Sequence, residues 1–191
     1  FYKNIIKILM SRFITILFLF CFIQLSGQED KLDSKFHKER RDEVRKKLPN
    51  NSVAVFFSAP IRNRSNDVDF LYHQDPNFHY LTGWKEPHAV LLIYKEEQRD
   101  SIGFYNEKIY VRERDAFAEM WNGKRKGIEG ALKMGFNRVS SKKYFKTTNH
   151  SFSDFESVLL FDFKDDTRNF KNDPNDLYDL TEFFKKEINF P

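Results

Sequence analysis

Apolar residues in this chain come in short blocks separated by charged or turn-forming stretches, and the period changes from block to block. Over residues 31–48, Leu32, Phe36, Val44 and Leu48 recur near helical spacing among charged neighbours. That predicts a surface helix with a narrow apolar face, ended by Pro49. Residues 53–57, VAVFF, are uninterruptedly apolar, as expected of a strand covered on both faces. A polar loop follows over 58–69. Residues 78–81 are expected to form a short aromatic strand released by Thr82-Gly83, and 89–94 a second buried strand after a Glu86-Pro87 turn. Residues 101–105 and 108–112 read as a hairpin joined by Asn106-Glu107.

Asp115 is placed to cap a helix over 116–121, because its carboxylate can accept the free N–H groups of a first turn. A second short helix over 127–134 closes at Gly135. A strand at 158–163 and a helix opened by Asp173-Pro174-Asn175, running through Leu177, Leu180, Phe183 and Phe184, complete the pattern. Strands alternating with helices indicate an α/β layered domain.

The first 28 residues read differently. After Arg12, residues 14–25 form a short apolar run, followed by Ser26-Gly27-Gln28 and the charged EDKLD. A basic start, a hydrophobic stretch and small residues before a cleavage point describe a secretory signal. The run is too short for a transmembrane helix, which needs about 20 apolar residues. Residues 1–28 are therefore expected to be a signal peptide, with Met10 a possible start, and residues 29–191 the mature domain, exported to the periplasm or secreted. An uncleaved anchor is the alternative. Residues 1–28 hold Lys3, Lys7 and Arg12 and no acid, so of the formal charge of +4 only +1 belongs to residues 29–191. Acidic and basic residues are interspersed there, which argues against a nucleic-acid partner. One cysteine, Cys21, excludes a disulfide framework and a multi-cysteine zinc site.

Three constellations could carry chemistry. His73, Asp75 and His79 could be imagined as metal ligands, but Pro76 intervenes and no fourth donor has a recognisable spacing. Turn chemistry and strand packing explain them more simply, so no metal or catalytic residue is assigned. The loop RNRSNDVD holds two Arg and two Asp within residues 62–69. Ion pairs could simply fix the loop. Alternatively Arg64 and Asp67 project into a cleft, where an Asp binds a peptide's amino terminus and an Arg its carboxylate or carbonyl. Trp121, in AEMWNGKRKG, either covers its own domain or offers a flat face to a proline ring or an interface. There is no Gly-rich phosphate loop, no G-x-S-x-G and no H-E-x-x-H.

The ordered blocks SVAVFFSAPIRNRSNDVDF, HQDPNFHYLTGWKEPHAVLLI and VRERDAFAEMWNGKRKG, spanning about residues 38–136, resemble the N-terminal domain of the X-Pro aminopeptidase (aminopeptidase P) family. The resemblance implies a mixed β-sheet flanked by helices, as in the creatinase and aminopeptidase P N-terminal domains, followed in the family by a pita-bread metallopeptidase domain. That second domain is expected to hold two ions, usually manganese, and to release an N-terminal residue preceding proline. None of its ligands falls here, so the chain is expected to be truncated before it and inactive alone. The resemblance further implies proline-containing peptides as substrates, a homo-oligomer, and Asp67 and Trp121 as substrate-binding residues, to which the charged-loop reading adds Arg64; the signal reading implies no membrane attachment after cleavage. His73 departs from the arginine common in the family, and Lys124-Arg125-Lys126-Gly127 from its R-R-L-G. A stand-alone, non-catalytic assembly or binding module, or a relative with prolidase- or creatinase-type chemistry, are the other readings.

Overall fold

Three aspartates close three helix starts in this protein. Asp33 Oδ1 accepts from the Phe36 amide at 2.7 Å and opens α1 (Ser34–Lys47). Asp75 Oδ1 accepts from the Phe78 amide at 2.8 Å and opens α2 (Pro76–Thr82), with Pro76 in the first turn. Asp115 Oδ1 accepts from Phe117 and Ala118 and opens α3 (Ala116–Asn122). Each satisfies backbone donors that a helix start otherwise leaves unpaired. The structure is a computed structural model. It describes residues 32–160 and 174–190, with Tyr2, Ile6, Lys7, Met10, Arg12 and Phe13, which are helical. The chain divides into two units, Phe1–Lys31 and Leu32–Pro191. The expected cleavage site near Gln28, Cys21 and the strand residues expected at 161–163 lie outside the described residues.

The second unit is built on a mixed five-stranded sheet in the order β6-β5-β4-β1-β7. Its strands are β1 (Ser52–Phe57), β4 (Val90–Asp100), β5 (Gly103–Val111), β6 (Val139–Ser141) and β7 (Ser157–Leu160). β1 and β5 both pair antiparallel with β4, so they run parallel to each other; β7 is parallel to β1 and β6 to β5. A separate hairpin, β2 (Asn63–Ser65) and β3 (Val68–Asp69), interrupts the loop after β1.

The apolar runs are covered on both faces, as their unbroken pattern predicts. Ala54, Phe56, Leu91, Ile93, Ile109 and Val111 point to one face, with Phe78, Leu81, Trp84 and Phe136. Val53, Val55, Val90, Leu92, Tyr94 and Tyr110 point to the other, with Phe145, Phe152 and two residues, Leu180 and Phe184, of α5 (Leu177–Glu187). α4 (Gly127–Lys133) adds Ala131 to the first face.

Three expectations are corrected. Residues 78–81 are helical rather than a strand: Asp75 and Pro76 start a helix, and Gly83, at φ +64°, ends it with its amide on the His79 carbonyl at 2.7 Å. A Cβ at Gly83 would sit 2.7 Å from the His37 ring, so close packing also demands glycine there. Residues 103–111 form one strand. The hairpin turn lies at Ser101-Ile102, where Asp100 Oδ1 accepts from the amides of Ile102 and Gly103 at 2.9 and 3.1 Å. On α1 the buried side chains are His37 and Arg41, while Leu32 is exposed. Arg41 is buried because Glu107 meets it there with two hydrogen bonds.

Candidate functional site

β1 and β5 run the same way, so the segments that follow them leave the same end of the sheet. Val90, at the start of β4, pairs with Phe57 on one side and Tyr110 on the other. The β2–β3 hairpin follows Phe57 and α3 follows Val111. Their bases are therefore about two strand spacings apart, roughly 10 Å. Both candidate segments therefore sit beyond the carboxyl ends of these two strands.

The base of the first segment is fixed by Gln74, which is buried. Its Oε1 accepts from the amides of Ala59 at 2.7 Å and Asp75 at 2.9 Å. Its Nε2 donates to the carbonyls of Trp84 and Glu86, both at 3.1 Å. The Tyr72 hydroxyl lies 3.0 Å from the Ala59 carbonyl and from Gln74 Oε1. Burial pushes the Tyr72 phenol far up, so it stays protonated.

The tip is organised by Asn63. Its side-chain amide donates to the Asn66 carbonyl at 2.9 Å and to the Val68 carbonyl and Asp69 Oδ1, both at 3.3 Å. Asn66, at φ +50°, makes the left-handed bend that an asparagine tolerates. Asp67 follows in the turn and Arg64 lies in β2, and both are exposed. Among the described residues neither Arg64 nor Asp67 has an ion pair or side-chain hydrogen bond, so asparagine, rather than an Arg64–Asp67 pairing, holds the tip.

The second segment presents Trp121. The indole is 78% exposed, with Phe117 and Met120 also outside. It projects from its own domain rather than covering it. The structure thus brings Arg64, Asp67 and Trp121 to one end of the sheet, on two separate projections.

At the same end of the sheet lies a set of charged residues that no sequence pattern announces. The Glu86 carboxylate accepts from the Lys126 amide at 2.7 Å and lies 3.6 Å from Arg112 Nη2. Arg125 reaches the Glu113 carbonyl at 3.4 Å. Asp176 pairs with Lys142 and lies 3.6 Å from His88 Nε2. His88 Nδ1 accepts from the Leu177 amide at 3.1 Å, tying the start of α5 to the start of β4. Because Nδ1 accepts, the neutral ring carries its proton on Nε2, facing Asp176. Burial lowers the His88 pKa, against the pull of Asp176, to about 4.

The three residues of the imagined metal cluster have other partners or separate places. Asp75 caps α2, His73 Nδ1 meets the Gln74 carbonyl, and His79 lies within α2. Among the described residues no group of three His, Cys, Asp or Glu side chains could hold a metal ion.

Residues 37–158 match the family model described as the aminopeptidase P N-terminal domain. An Xaa-Pro aminopeptidase of Haemophilus influenzae is 37% identical over 118 residues, 61% of this chain and 26% of that protein. Intermediate cleaving peptidase 55 of Schizosaccharomyces pombe is 38% identical over 97 residues, 51% of this chain and 19% of that protein. The structure of Escherichia coli aminopeptidase P with the inhibitor Pro-Leu is similar with a TM-score of 0.61 at 28% identity, covering 69% of this chain and 29% of that one. The chain thus spans between 19% and 29% of the length of these relatives.

Proposed function

We propose that this chain, which belongs to the aminopeptidase P N-terminal domain family, supports an X-Pro aminopeptidase by placing Asp67, Arg64 and Trp121 against the peptide. The complete enzyme would release an N-terminal residue that precedes proline, and this span would be inactive by itself. The observation that carries this reading is the shared exit of the hairpin and α3 on either side of Val90, with all three side chains exposed. Two metal ions, manganese by the resemblance, would activate a water and hold the peptide's amino end. By the resemblance, their ligands belong to the part of the relatives beyond this span.

Within that frame each residue has a definite task. The Trp121 indole offers a flat apolar face to a proline ring, a contact worth about 1 kcal/mol. The Asp67 carboxylate attracts a peptide ammonium, and the Arg64 guanidinium a carbonyl or carboxylate. By the resemblance, the domain would assemble a homo-oligomer and lend these side chains to a neighbouring subunit's cleft. A signal peptide over residues 1–28, cleaved near Gln28, would deliver the enzyme to the periplasm or the medium.

The test uses the complete enzyme and an X-Pro peptide. Trp121→Ala should lower kcat/KM roughly fivefold, the worth of a contact of about 1 kcal/mol, with the melting temperature unchanged. Asp67→Asn should weaken binding of peptides with a free amino terminus. Wild-type kinetics in both variants would sink the assignment. N-terminal sequencing of the exported protein tests the cleavage, and retention of residues 1–28 overturns it.

A further inference from the structure

Every one of the seven residues of α3 lies outside the core, which raises the question of what fixes Trp121 in space. A helix this short is not stable through its own hydrogen bonds. The ties that hold it converge on Arg114. Arg114 Nε and Nη2 donate to the two Glu119 carboxylate oxygens at 2.7 and 2.9 Å, a fork-on-fork pair. Glu119 Oε1 also accepts from the Asp115 amide at 3.3 Å. Although α3 is exposed, the Glu119 side chain keeps only 9% of its surface in solvent. At the exit, Gly127 has φ +64° and packs on the same arginine. A Cβ there would fall 2.8 Å from Arg114 Cγ. Middle and exit of the projection are therefore keyed to Arg114 directly, and the start to the Glu119 carboxylate that Arg114 holds.

The direction of the tie matters. Glu119 and Trp121 are two residues apart on a helix of 3.6 residues per turn, so they point to opposite sides. Drawing Glu119 inward onto Arg114 turns Trp121 outward. We propose that Arg114 and Glu119 are positioning residues for Trp121, setting the angle at which α3 presents the indole to a proline-containing peptide. Glu119 holds the Arg114 pKa up, and Arg114 holds the Glu119 carboxyl low, so the pair stays charged across the neutral range. The peptide half of this inference rests on the proposed function; the positioning half does not.

Two measurements separate the halves. In this chain, the heteronuclear NOE of the two indole N–H signals reports local order, Trp84 serving as the buried internal standard. The Trp121 value should approach that of Trp84 in the wild type, fall clearly in Glu119→Ala, and recover in part in the charge-swapped Arg114→Glu/Glu119→Arg protein, which restores the ion pair but not the acceptor for the Asp115 amide, with unchanged melting throughout. An unaltered Trp121 value in Glu119→Ala, or no recovery in the swap, overturns the positioning role. In the complete enzyme, Glu119→Ala should raise KM for an X-Pro peptide several-fold with little change in kcat, and the swap should restore it in part. If Trp121→Ala leaves kinetics untouched while Glu119→Ala loosens the indole, the substrate assignment fails and the positioning role stands.

Discussion

Arg41 Nε and Nη2 meet Glu107 Oε2 and Oε1 at 2.8 and 3.0 Å, in a pair sealed from solvent between α1 and β5. The third arm of the guanidinium, Nη1, donates to the Leu81 carbonyl at 2.9 Å, and its plane lies 4.2 Å from the Phe136 ring centre. One side chain thereby joins α1, α2 and β5. Removing one partner leaves a buried charge unpaired, which costs about 3–5 kcal/mol. Arg41→Ala should lose that much in urea denaturation, and Arg41→Met/Glu107→Leu should regain most of it. If the double variant is no more stable than the single one, the pair is not what anchors α1.

Gln74 makes a different kind of prediction, because its side-chain hydrogen bonds hold the base of a projecting loop. Gln74→Ala leaves the Ala59 amide and the Trp84 carbonyl in need of partners, at a cost of about 2 kcal/mol. The loop should also loosen, so trypsin should cut faster at Arg62 and Arg64 at temperatures where the core is intact. Destabilisation without faster cutting would make Gln74 a core residue only.

His150 predicts acid sensitivity. Its Nε2 donates to the Phe145 carbonyl at 2.8 Å and its ring stacks on Phe152. Burial lowers its pKa from 6.5 to about 4. The unfolded chain therefore takes up a proton below about pH 6.5, whereas the folded protein resists until about 4. Its contribution is complete above that window and is lost as pH falls through it, to a limit of about 3 kcal/mol. Urea midpoints at pH 7, 5.5 and 4 should fall accordingly, and less steeply in His150→Gln. Equal slopes would remove His150 from the account. His88 acts in the same direction, since protonating its Nδ1 also breaks the bond to Leu177.

The two tryptophans should separate cleanly in fluorescence. Trp84 is 0% exposed and Trp121 is 78% exposed. Iodide should quench one population and spare the other, and Trp121→Phe should abolish the quenchable part while changing stability by no more than about 0.5 kcal/mol. Full protection of both indoles from iodide in the isolated chain would mean that α3 is covered.

The sequence made the sheet legible because its strands are buried on both faces and so read as unbroken apolar runs. It was less legible at residues 78–81. There NFHYL has the aromatic content of a strand, and the helix is decided by the flanking Asp75-Pro76 and Gly83. Asn106-Glu107 looked like a turn for a related reason. Glu107 is polar because it answers Arg41 across 66 positions, a pairing that no local pattern announces. The candidate residues Arg64, Asp67 and Trp121 were visible as types in a loop and at a helix end. Their common placement was not, since it depends on β1 and β5 running parallel with β4 between them.

That placement makes the domain modular. Neither the hairpin tip nor α3 contributes a residue to either core cluster, so both are appendages on a frame that folds without their side chains. Residues at these two tips can be exchanged, or the tips lengthened, at little cost to the frame. Selection, or an engineer, can therefore retune what the edge recognises while leaving the sheet alone, provided Gln74 and Arg114 remain as the two mounting points.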